Sequence, residues 1–149
     1  MEKFYLDDLR PGQTFTSGSA TVDAAAIKAF AAQFDPQPFH LDEAAAAASL
    51  FGGLVASGWH TAAITMRLLV EGGAPIAGGL VGAGGSLTWP RPTRPGDVLT
   101  VVSEVTEVRP SRSHPDRGVA TVHSRTLNQQ GETVQDATMK LVVPRRPPA

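Results

Sequence analysis

The stretch SGWHTAAITMRLLVEGG, residues 57–73, leaves this chain the fewest ways to fold. Ser57 is a helix cap, and Gly72 and Gly73 close the helix. Between them Ala62, Ala63, Ile64, Met66, Leu68, Leu69 and Val70 leave little polar face beyond Thr65 and Arg67. A helix that is apolar nearly all round has to be enclosed by other elements. The segments after Gly78 supply the enclosure. GLVGAGGSLTW, DVLTVVSEVTEV, GVATVHSRTL and ETVQDATMKLVV are rich in Val and Thr and are punctuated by Pro and Gly, which predicts strands. Met139, Leu141 and Val143 alternate on one face, residues 128–131 form a hairpin loop, and a further strand is expected over Thr14–Thr21. Helices early and a run of strands late predict an α+β domain, with an antiparallel sheet packed on one buried helix.

Two shorter helices precede the long one. DAAAIKAFAAQF opens on Asp23 as N-cap, and Ile27, Phe30, Ala31 and Phe34 recur at helical spacing to form an apolar face. Pro36 stops it, because a proline pushes the residue before it out of the helical region. The alanines from Ala44 to Ala48 form a second helix, opened by Asp42 and Glu43 and ended by Gly52 and Gly53. The chain of 149 residues fits one domain over 1–143, with PRRPPA, 144–149, as a frayed tail. A chain of this length buries roughly 70% of its unfolded surface, so its core does not depend on disulfides or metals. It has no cysteine, which removes disulfides, cysteine zinc sites and thiol nucleophiles. A formal net charge of −1 gives no electrostatic case for nucleic acid or an anionic membrane as partner. The N-terminal MEKFYLDDLRPGQ lacks the apolar core and basic start of a signal peptide, and no run of about 18 apolar residues occurs. The expected compartment is the cytoplasm.

Candidate chemistry gathers around the helix breaks. In FDPQPFH, Asp35 and His40 flank two prolines that forbid regular structure between them. Asp35 lies at the carboxyl end of a helix, where the dipole disfavours a carboxylate and tends to raise its pKa. Taken alone, Asp35–Pro36 is more plainly an Asx turn and His40 a histidine satisfied by backbone. Fully extended, the stretch would hold the two side chains roughly 17 Å apart, so they cooperate only if it folds back. Further on, Ser57 and Gly58 begin the long helix. The first N–H groups of a helix have no internal partner, and glycine admits a ligand close to the backbone. Such a point can hold a carbonyl oxygen that gains negative charge, although an ordinary cap explains the same residues. Together an acid, a base and an oxyanion donor suit proton transfer next to a carbonyl.

FDPQPFHLD, followed by VASGWHTAAITMRLL and then by TWPRPTRPGDVLTV and VRPSRSHPDRGVATVHSRTLNQQGE, resembles the MaoC-like dehydratases, the (R)-specific enoyl-CoA hydratase group. The resemblance runs from about Asp23 to Val143. It implies a hot-dog fold, an antiparallel sheet wrapped around one long helix, and homodimers or dimer-based oligomers whose sites use both subunits. It implies that Asp35 and His40 are the catalytic pair and Gly58 the backbone oxyanion donor. The activity implied is reversible hydration of a trans-2-enoyl thioester, with coenzyme A as part of the substrate, to an (R)-3-hydroxyacyl thioester, with no metal or redox cofactor. Gln37 stands where the commonest family form has Asn, and Ser57 where many members have His; both are taken as substrate-binding positions. The acyl chain is placed along the long helix and the strand near Trp89. Arg112, with Arg109 and Arg117, sits in a turn able to meet coenzyme A phosphates or simply to face solvent, and the same two readings hold for Arg91 and Arg94. Trp59 and Trp89 serve packing more than substrate contact, and His60, His114 and His123 have no assigned role. The rival readings are a hot-dog acyl-CoA thioesterase and a non-catalytic acyl-binding or partner subunit.

Overall fold

The computed structural model describes residues 2–149. The helices begin where the caps predict. Asp23 accepts the Ala26 N–H at 2.7 Å and opens α1, Ala24–Phe34. Of its predicted apolar face, Ile27 and Ala31 are fully buried, whereas Phe34 is exposed. Asp42 accepts the Ala44 N–H at 3.1 Å and opens α3, Glu43–Ala47. Between these two lies a short helix, α2, Pro38–Leu41. The proline-rich stretch therefore does hold regular structure, contrary to expectation. Pro38 stands at the first helical position, where the missing N–H has no partner to lose and the fixed φ suits the turn.

The long helix α4, Gly58–Leu68, is capped by the Ser57 hydroxyl and runs on into one wider turn, Leu69–Gly73, that ends at Gly72 with φ +152°. Five strands follow from the Val/Thr-rich segments and their predecessor: β1, Thr14–Thr21; β2, Val81–Thr88; β3, Val98–Pro110; β4, Arg117–Leu127; and β5, Thr133–Pro144. They form one antiparallel sheet in the order β1-β3-β4-β5-β2, so the two later hairpins occupy its centre and β1 and β2 its edges. Alternation along the central strands turns one set inward: Leu99, Val101, Ser103 and Val105 from β3, Ala120, Val122, Ser124 and Thr126 from β4, Leu141 and Val143 from β5. The sheet curves around α4, whose buried residues are His60, Thr61, Thr65 and Leu68. This is the hot-dog fold. Its floor is partly polar, and the hydroxyls pair: Thr65 with Thr126 at 2.6 Å, Ser103 with Ser124 at 2.9 Å, and Thr61 donating to Thr93 at 2.9 Å.

Two expectations change. The helix is not enclosed all round, because Trp59, Ala63, Met66 and Val70 lie exposed along one side at helical spacing. Hydropathy shows that a face avoids water, but one chain's sheet can cover only part of the circumference. The segment 144–149 also begins inside β5, and beyond it Arg145 pairs with Asp7 at 2.8 Å and Arg146 with Asp8 at 2.6 Å. No helix is long and apolar enough to cross a membrane among the described residues.

Candidate active site

α1 ends at Asp35, and the chain turns back at once: the Gln37 N–H donates to the Asp35 carbonyl at 2.7 Å and the His40 N–H to the Gln37 carbonyl at 3.0 Å. This fold-back brings His40 Nε2 to 3.3 Å from Asp35 Oδ2. The extended separation thus collapses to near contact. The other imidazole nitrogen is committed. Nδ1 lies 2.6 Å from the Val55 carbonyl, which can only accept, so Nδ1 carries a proton and donates it. Nε2 is then the nitrogen that can exchange a proton with the cavity. Phe39 packs edge-on against the imidazole, with ring centres 4.6 Å apart, and His40 is buried.

The Asp35 carboxyl is held below its ordinary range, not above it as the helix terminus suggested. Burial pushes it up, but the Ser57 hydroxyl, the Gln37 amide at 2.6 Å and the His40 ring together draw it further down. Local hydrogen bonds to the ionised form outweigh the distributed field of one short helix. Asp35 is therefore an ionised acceptor at neutral pH.

Ser57 and Gly58 deliver the third component. Within the first turn of α4, the Trp59 N–H goes to the Ser57 hydroxyl at 3.2 Å, and the His60 and Thr61 N–H groups go to the Ser57 carbonyl at 2.9 and 3.1 Å. The Gly58 N–H has no partner among the described residues. Asp35, His40 and Gly58 all line one cavity of about 520 Å³. Phe39, Phe51, Val55, Trp59 and Trp89 make its apolar walls, and Thr61 and Thr93 add two hydroxyls. That volume and lining suit a small organic ligand oriented by a few polar groups.

The chain matches the model of the MaoC like domain over residues 8–127. It belongs to the MaoC-like dehydratase family. An uncharacterized protein of Bacillus subtilis (strain 168), YdeM, is 34% identical over 143 residues, spanning 94% of this chain and 99% of that protein. The MaoC-like dehydratase from Rhodospirillum rubrum superposes with a TM-score of 0.95 at 62% identity, covering 97% of this chain and 99% of that one. The (R)-hydratase from A. caviae involved in PHA biosynthesis superposes with a TM-score of 0.74 at 31% identity, covering 93% and 98%.

The remaining positions of this MaoC-like chain separate into groups. Gln37 lines the cavity and donates to Asp35, so it orients the acid from the cavity wall. Ser57 is fully buried and is not part of the cavity wall; it caps α4, and its hydroxyl helps hold the Asp35 carboxyl below its ordinary range. Trp89 and Arg91 do line the cavity, the latter paired with Glu132 at 3.1 Å. Arg94 donates to the Phe51 carbonyl at 2.8 Å and so ties down a loop of the mouth. Arg112 sits exposed in the β3–β4 turn and is not part of the wall. The 13 residues of β3 lie between that turn and the end nearest Thr93, up to about 40 Å of strand. Within one chain it does not line this cavity.

Other features escaped sequence reasoning. The Val55 carbonyl could not be found from residue type, since every residue has one. His123 Nε2 meets Asp136 Oδ1 at 2.8 Å across neighbouring strands, although no carboxylate lies near it in sequence. His60 stacks on Phe30 with ring centres 4.7 Å apart, and its buried Nδ1 has no hydrogen-bond partner among the described residues. Among those residues no group of three or more His, Asp or Glu side chains is arranged to hold a metal ion.

Proposed function

We propose that the protein reversibly hydrates a trans-2-enoyl thioester of coenzyme A to the (R)-3-hydroxyacyl thioester. One observation carries the reading: a single cavity joins a histidine with a committed tautomer, an ionised carboxylate 3.3 Å from it, and an unpaired helix N-terminal N–H. The thioester oxygen binds at Gly58 N–H, and a water sits between Asp35 and His40 Nε2. The water oxygen bonds to Cβ and the alkene electron pair moves toward Cα, placing negative charge on the thioester oxygen. The pair takes one proton from the water, the imidazolium being stabilised by the adjacent carboxylate. The pair then returns that proton to Cα as the enolate collapses, so one water is added in total. Proton transfer by such groups contributes ~10²–10⁴ in rate and an oxyanion donor about 3–4 kcal/mol.

A second copy of the chain completes the assembly. The exposed stripe Trp59, Ala63, Met66 and Val70 borders an apolar groove between α4 and β2, lined by Met66, Leu80, Gly82 and Met139. β2 pairs only with β5, so its other edge is open. An unpaired edge beside an apolar stripe suits pairing with its own copy.

The direct test follows loss of enoyl absorbance with trans-2-enoyl-CoA substrates of increasing length, alongside thiol release from saturated acyl-CoA. Hydration without thiol release supports the reading. Thiol release with no loss of enoyl absorbance moves the protein to the thioesterases, and activity only on adding a second, different chain makes it a partner subunit.

A further inference from the structure

Gly58 carries the free N–H on which the proposed reaction depends, and its surroundings show why no other residue fits there. A Cβ built on Gly58 would lie 2.6 to 2.7 Å from three atoms of the Trp89 indole, Cε2, Cδ2 and Cζ2. The fused bond of the indole is therefore pressed against the first turn of α4. Closing that gap would require the ring to move, and the ring is held. Its Nε1–H donates to Gln135 Oε1 at 3.0 Å, and Trp59 meets it edge-on with ring centres 5.2 Å apart. Gln135 is buried, 3% exposed, beside Thr126 on the neighbouring strand. A buried amide is costly unless paired, so its bond to Trp89 accounts for a glutamine at an inward position of the sheet.

We propose that Trp89 is a positioning residue for the Gly58 amide: an indole plate, pinned by Gln135, that sets the first turn of α4 against the Asp35–His40 pair. The proposal rests on the hydratase reading above. The physical need is clear. An oxyanion donor works only within tenths of an ångström of the developing charge, and misplacement by about 1 Å costs on the order of 10²-fold. The Ser57 cap holds the turn from within, while the indole holds it from the sheet. Trp89 thereby links the end of β2, the floor of β5 and the start of α4.

Two sets of variants test this. Gln135→Leu removes the anchor without altering the cavity lining, and Trp89→Phe keeps a ring but loses the N–H. Both are expected to lower kcat on a trans-2-enoyl-CoA at least about tenfold, with KM changed by less than about threefold, while the proteins stay folded. The second set reads thermal stability alone: Gly58→Ala lowers Tm in the wild type and lowers it much less in a Trp89→Leu background, because the clash is gone. Wild-type kcat in folded Gln135→Leu and Trp89→Phe overturns the positioning role. An equal Tm penalty for Gly58→Ala in both backgrounds overturns the steric basis. A wild-type protein that hydrates no enoyl thioester instead brings down the hydratase reading and this proposal with it, so the two failures are told apart by the wild-type control.

Discussion

Removing either member of the Asp35–His40 pair tests whether the two act as one device. The perturbations are Asp35→Asn, which keeps shape and hydrogen-bonding oxygen but removes the charge, and His40→Ala. At 3.3 Å, with Nδ1 tied to Val55, the two groups are close enough to hold one water between them in the proposed reaction. Neither has a second partner placed to take the water's proton: the Asp35 oxygens face Gln37, Ser57 and His40. Each single change should therefore remove most of the proton-transfer contribution, ~10²–10⁴ in kcat/KM, or about 3–5 kcal/mol of barrier. Independent groups would multiply, so the double variant would lose ~10⁴–10⁸. Groups acting as a unit do not multiply, and the double variant should fall no more than about tenfold below the worse single one. The assay is initial-rate hydration of a trans-2-enoyl-CoA, with circular dichroism confirming that all variants are folded. Multiplicative losses would refute the shared-water geometry, and single variants retaining more than about a tenth of wild-type activity would refute the catalytic assignment altogether.

Further outcomes concern the core. Thr65→Val leaves the buried Thr126 hydroxyl unpaired and should cost about 1–3 kcal/mol in urea denaturation, whereas Thr65→Val with Thr126→Val should cost clearly less than the two single changes added. His60 is expected to make stability fall in mild acid. Burial holds its pKa below the ordinary 6.5, with Asp23 opposing weakly, so the unfolded chain takes up the proton first. The stabilisation is complete above about pH 6.5 and is lost as pH falls through the folded-state value. His60→Phe keeps the stack on Phe30 and removes the titration, so the drop in urea midpoint between about pH 7.5 and 5.5 should shrink. An unchanged drop would place the acid sensitivity elsewhere.

Much of this molecule is local physics and could be taken from the residues directly. Asp23 and Ser57 predict their helix starts because capping involves neighbours two or three positions away. The period-two run Met139, Leu141, Val143 predicts the inward face of β5 because pleating is local. The resemblance carried by FDPQPFHLD and the long helix named the fold and the residues that now share a cavity. What needed the folded chain was every relation between distant segments. Val55 sets the tautomer of His40 from fifteen positions away, the pair His123–Asp136 forms across a strand register, and Arg112, nominated for its charge, lies outside the cavity wall. The pKa of Asp35 is the sharpest instance: the helix end, visible in sequence, argues for a rise, while hydrogen bonds from Gln37 and Ser57 reverse it. Periodicity and capping are decided within a few residues and so belong to the sequence; proximity, burial and charge state depend on which surfaces meet, and only the tertiary structure decides that.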